Sequence, residues 1–144
     1  MASITIPTGK KSYDICDEYG NLRGTISFVP GDLNLFNRLS DLENFIEKVK
    51  KEILDLTKSK KSDIEIYQAL LNYDKRIKEA VNNTFLEDVS SVVFGQYSVF
   101  NSVNGISYLD TFLSSVLPVI SKDMQTAQKA SSVIANEYLS QVEE

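Results

Sequence analysis

The chain has 144 residues, a net charge of −5, one cysteine and no histidine. A single cysteine excludes an intrachain disulfide, and the missing imidazole excludes Ser-His-Asp and Cys-His catalysis together with the commonest zinc ligand. The acidic balance is unsuited to a phosphate backbone, which needs a basic face, so nucleic acid is not expected as a partner.

An apolar content of 42% and a charged content of 24% are those of an ordinary soluble domain, and the length suits one such domain. No apolar run approaches the ~20 residues that span a bilayer, so no membrane partner is expected. The first ten residues, MASITIPTGK, lack the charged start and apolar core of a signal peptide. The expected location is therefore the cytoplasm.

Residues 1–11 read as a flexible arm. From Tyr13 to Val29 the apolar pattern has period two, with Gly20-Asn21 as a two-residue hairpin turn. Folding there pairs Tyr19 with Leu22, Asp17 with Gly24, Ile15 with Ile26 and Tyr13 with Phe28. That makes one face largely apolar, while Glu18, Arg23, Cys16, Thr25, Asp14 and Ser27 occupy the other. A lone hairpin is marginal in water, so the apolar face is expected to lie on the chain's own helices or on another subunit.

At Pro30-Gly31-Asp32 the period changes. Leu35, Leu39, Leu42, Ile46, Val49, Ile53 and Leu56 alternate steps of four and three, a heptad seam. Asp32 is placed as its N-cap, a joint between strand and helix rather than a catalytic acid. Phe36 and Phe45 widen the stripe. Ser40-Asp41-Leu42-Glu43 has the form of a capping box, a point where the helix can restart. The seam has two readings, an intramolecular core or a surface for a partner helix or second copy. The lysines Lys48, Lys50, Lys51, Lys58, Lys60 and Lys61 are interleaved with Glu47, Glu52 and Asp55 and read as a solvated face.

A second helix follows the box Ser62-Asp63-Ile64-Glu65. Its stripe, Ile66, Leu70, Tyr73, Ile77, Val81, Phe85, Val89 and Val92, predicts one helix ending near Gly95, with Asn82-Asn83 a point of interruption. Asn104-Gly105 suggests a short second hairpin, and Ser107 is placed as the cap of the last helix. Within that helix Pro118 predicts a kink or break. Beyond it Ile120, Met124, Ala127, Ile134 and Tyr138 form a thinner stripe, and Glu143 and Glu144 at the helix end favour fraying.

The fold expected is mainly α: a β-hairpin at 12–29 followed by a three- to four-helix bundle at 32–144, in one compact domain. Gly20, Gly24, Gly31, Gly95 and Gly105 are scattered at turns and form no phosphate loop, and Asp14, Asp17 and Glu18 do not have calcium-loop spacing. No cofactor, metal or small-molecule substrate is expected, and only carboxylate-based chemistry is left open. The residues read as partner-binding are Leu35, Leu39, Leu42, Ile46, Val49 and Ile53 of the seam, with Tyr13, Ile15, Ile26 and Phe28 of the ribbon.

A strand pair, then "FVPGDLNLFNRLSDLENFIEKV", a long helix closing on "VFGQ", then "YLDTFLSSVLPVI", resembles small proteins encoded in tail modules of phages and prophages of Gram-positive bacteria. The resemblance runs from about Tyr13 to Ile120 and rests on short motifs, chiefly "PGDLNLFNR". It implies a non-enzymatic, chaperone-like tail assembly protein of the bacterial host cytoplasm. Partners would be the helical tape-measure protein and tail-tube subunits, with self-association. The alternatives are a structural component retained in the particle, polymerising through the hairpin, and a host-directed regulatory protein.

Overall fold

The computed structural model of the chain describes residues 1–143, with side chains for residues 1–130. It is mainly helical. An antiparallel ribbon, β1 (Lys11–Cys16) and β2 (Leu22–Phe28), precedes α1 (Leu33–Thr57) and α2 (Asp63–Phe85). The short α3 (Val89–Phe94) leads to a second, two-residue ribbon of β3 (Ser102–Val103) and β4 (Ile106–Ser107). α4 (Tyr108–Thr111), a π-helical turn at Phe112–Val116 and α5 (Leu117–Glu143) complete the chain.

The first ribbon keeps its two expected faces but not its expected register. Tyr13 pairs with Ile26 and Ile15 with Gly24, two residues out from the reading above. Asp17 is the cause. Its carboxylate accepts the backbone N–H groups of Tyr19 and Asn21, and its carbonyl accepts that of Gly20, so the loop spans Asp17–Asn21 instead of two residues. Gly20 takes the positive φ of +81° that this longer turn requires. A shift of two preserves side-chain direction, so the apolar face survives the correction.

Asp32 caps α1 by accepting the Asn34 N–H at 2.9 Å. The helix then runs unbroken through Ser40, and no restart occurs there. The second helix stops at Phe85 and not near Gly95, at the interruption expected from Asn82-Asn83. Leu86 adopts a left-handed conformation (φ 59°), and Asp88 starts α3 by accepting from Ser91. Asn82 holds the break: its amide donates to Asp88, and its carbonyl oxygen accepts the N–H of Ser90. α3 itself ends at Gly95.

Pro118 does not break the helix. The turn just before it widens, with the Leu117 N–H bonding to the Phe112 carbonyl five residues back, and the helix continues as α5. Asn104 (φ 54°) and Gly105 (φ 81°) form the tight turn of β3–β4, and Ser107 caps α4 through the Asp110 N–H. The expectations for Ile134, Tyr138, Glu143 and Glu144 concern side chains outside the described residues.

A single core unites these elements. Phe94 of α3 and Phe112 of the π turn are fully buried, their rings 5.7 Å apart at 59°. Around them lie Ile26 and Phe28 from the ribbon, Leu35 to Val49 from α1, Ile77 and Val81 from α2, and Leu117, Ile120 and Met124 from α5. Polar clamps close the edges. Arg38 of α1 donates to the Thr84 carbonyl at the end of α2, and Asp123 of α5 accepts from both Lys11 and Tyr13 of β1.

Candidate protein-binding surface

The residues expected to meet a partner are covered by the chain itself. Leu35, Leu39, Leu42, Ile46 and Val49 are buried, as are Ile26 and Phe28, while Tyr13, Ile15 and Ile53 are half-buried against the same core. The seam packs mainly against α2, and the ribbon lies over the helices. In the folded chain the seven buried side chains are interior, while Tyr13, Ile15 and Ile53 keep part of their surface accessible.

Carboxylates are dispersed. Among the described residues no group of three or more His, Cys, Asp or Glu side chains is placed to hold a metal ion. Two shallow recesses each bring two acids together. In one, Asp32 caps α1 and Glu87 accepts the Ser27 N–H; in the other, Glu43 and Glu47 lie one turn apart on α1 beside Lys50. The carboxyls with shifted acidity hold local structure. Hydrogen bonds from Lys11 and Tyr13 hold Asp123 below the usual carboxylate value, those from Ser91 do so for Asp88, and Lys50 does so for Asp110.

What remains open is a different apolar set. Ile64, Tyr67 and Leu71 of α2 are 69%, 66% and 64% exposed, at spacings of three and four that put them on one helical face. Leu54 of α1 is 56% exposed. Two contacts fix where these faces point. Asp74, three residues after Leu71 and seven after Tyr67, accepts the Val99 N–H at 2.8 Å. Lys50, four residues before Leu54, pairs with Asp110 of α4 at 2.9 Å. Both exposed sets therefore lie on the side of the α1–α2 pair that carries the segment from Val99 to Asp110. They sit beyond the reach of that segment, toward the turn joining the two helices.

The result is an apolar ledge. Its floor is Leu54, Ile64, Tyr67 and Leu71; Val103 and Ile106 of the β3–β4 turn are also about half exposed. Lys51, Lys58, Lys60 and Lys61, all exposed, lie at the end of α1 and in the turn that follows, among the equally exposed Asp55, Asp63 and Glu65, so the rim carries both signs of charge. Asp74 is central to its construction. It is buried, it holds the buried Val99 in place, and its second oxygen is 3.2 Å from Lys78.

Sequence reasoning missed this surface, although a signal was present. α2 carries more apolar residues than one core stripe needs. After Ile66, Leu70, Tyr73, Ile77 and Val81 are assigned inward, Ile64, Tyr67 and Leu71 remain as a second stripe turned about a quarter of the way around the helix. An apolar stripe surplus to the core marks a binding face better than the core stripe does. No family model, curated protein or solved structure matches this chain.

Proposed function

We propose that the chain is a non-enzymatic tail assembly protein, chaperone-like, that binds an amphipathic helix of a tail partner on the ledge of Leu54, Ile64, Tyr67 and Leu71. The observation that carries the reading is this exposed stripe at the end of a helical pair. An apolar stripe with spacing of three and four accepts the apolar face of another helix, and the mixed charges of the rim keep the surrounding surface hydrated. The assignment to tail assembly rests on the resemblance of "PGDLNLFNR" and the following motifs to small tail-module proteins. A tape-measure protein, long and helical, is the partner whose chemistry fits.

Co-expression with the tape-measure protein of the same gene cluster tests the reading. A complex that survives purification and raises the partner's solubility is the expected result. An equally soluble partner with no complex overturns it.

A second reading, a structural component retained in the mature particle, is favoured by the open edge of β1. Mass spectrometry of purified particles separates the two: stoichiometric presence supports a component, and absence supports a factor that leaves after assembly.

A further inference from the structure

The two edges of the β1–β2 ribbon differ. On the β2 side, Ser27 donates its backbone N–H to Glu87 in the turn between α2 and α3, at 3.2 Å. Ser27 faces Ser12 across the ladder. An outward N–H on Ser27 makes this a non-hydrogen-bonded pair. The alternation of an antiparallel ladder then turns the backbone groups of Ser12 and Asp14 outward, at the edge of β1. Among the described residues β1 pairs with β2 alone. Beside this open edge lies a recess of about 130 Å³ between β1 and α5, lined by Tyr13, Ile15, Val116 and Val119 among others.

The same chain carries a strand-like segment without a partner. Residues 3–7 read Ser-Ile-Thr-Ile-Pro, alternating, rich in β-branched residues and closed by a proline that cannot extend a ladder. Ile4 and Ile6 are 92% and 80% exposed, and in an extended segment they face the same side. Thr8 and Lys10 line a groove with Ser27, Phe28 and Glu87, so the segment leaves its ribbon on the β2 side, away from the open edge of β1.

We propose that residues 3–7 of one chain add as a third strand to the Ser12–Asp14 edge of β1 in a second copy, laying Ile4 and Ile6 over Val116 and Val119. Main-chain hydrogen bonds supply the pairing, and the alternate isoleucines fill the recess, as in other strand additions to a sheet edge. The fit is one of charge as well as shape. Residues 3–7 are uncharged, and the acids flanking the edge are already engaged: Asp14 by the Thr25 hydroxyl, Asp123 by Lys11 and Tyr13. Reciprocal exchange closes a two-fold dimer in which both segments and both edges are used. This contact is separate from the ledge and does not depend on what the ledge binds.

Light scattering coupled to gel filtration tests it on the full chain, from micromolar to millimolar concentration. The expected result is a dimer that forms with rising concentration. Ile4→Asp combined with Ile6→Asp, and separately Asp14→Pro, are each expected to give a monomer, the former with the melting temperature of the dilute, monomeric wild type because Ile4 and Ile6 are exposed in the single chain. A wild-type chain that stays monomeric, or a dimer that persists in the isoleucine variant, overturns the proposal. Hydrogen exchange adds a third outcome: slow exchange at residues 3–7 in a monomer shows the segment closing on its own edge, and this too overturns it.

Discussion

The buried carboxylate of Asp74 accepts the backbone N–H of Val99 at 2.8 Å, joining α2 to a loop 25 residues downstream. Val99 is itself fully buried, so its N–H has no access to water if the acceptor is lost. Asp74→Ala is therefore expected to cost about 1–3 kcal/mol of folding free energy, the penalty for an unsatisfied buried donor. Asp74→Asn, which keeps an accepting oxygen, should cost less. Urea denaturation of the two variants checks the order.

The ledge predicts a separation of stability from binding. Tyr67→Asp and Leu71→Asp alter side chains that are 66% and 64% exposed, and such changes usually lie within about ±0.5 kcal/mol in stability. Binding of a helical partner should fall by at least about tenfold, as expected when a central apolar contact is replaced by a charge. A pull-down alongside a thermal melt reads both quantities.

Leu42 of α1 is 2% exposed, inside the seam. Leu42→Asp places a charge inside the apolar seam, at a cost of several kcal/mol, on the order of the whole stability of a domain this size. The expected outcome is an unfolded or aggregated chain by circular dichroism and gel filtration. An unchanged melting temperature would show that the seam is not core.

Gly24 of β2 lies against α3 so closely that a Cβ would meet Val92 Cγ2 at 2.7 Å and Cγ1 at 3.0 Å. Gly24→Ala is expected to destabilise by about 1–3 kcal/mol through overpacking. Val92→Ala in the same chain should recover part of the loss, since it removes both colliding methyl groups. A double-mutant cycle measures the recovery.

The response to pH follows from the carboxyls. Asp123, Asp110, Asp88 and Asp17 all have folded values lowered below their ordinary value of 3.8, each by hydrogen bonds to its carboxylate. Groups lowered on folding contribute stability that is fully present above the unfolded value and is lost as pH falls through the folded values. With no histidine in the chain, stability should be nearly flat between about pH 5 and 8 and then fall below about pH 4. Asp123→Asn should flatten that acid limb, because a neutral amide cannot be protonated away from Lys11 and Tyr13. Urea midpoints across the range test both statements.

Local rules made much of this fold legible. The caps at Asp32, Ser62 and Ser107 and the Asn104-Gly105 turn all depend on a residue and its immediate neighbours, and all are present. The failures came where two local signals competed. Gly20-Asn21 looked like a complete turn, but Asp17 can reach both Tyr19 and Asn21, and its carboxylate set the longer loop. Along α2 the apolar stripe continues past Phe85 toward Gly95, and the helix instead ends at the interruption expected from Asn82-Asn83, where Asn82 bonds to Asp88. Side-chain hydrogen bonds of this kind are short-range in sequence but leave no periodic trace.

The sequence by itself determined the class of protein: a hairpin followed by amphipathic helices, with no histidine chemistry and no disulfide. Only the tertiary structure decided which apolar stripe is inside. Periodicity shows that a face is apolar, and it is silent about what covers that face. The seam from Leu35 to Val49 met α2 and became core. Ile64, Tyr67 and Leu71 lie beyond the loop that Asp74 holds through Val99, so nothing within the described residues covers them, and they remain exposed for a partner.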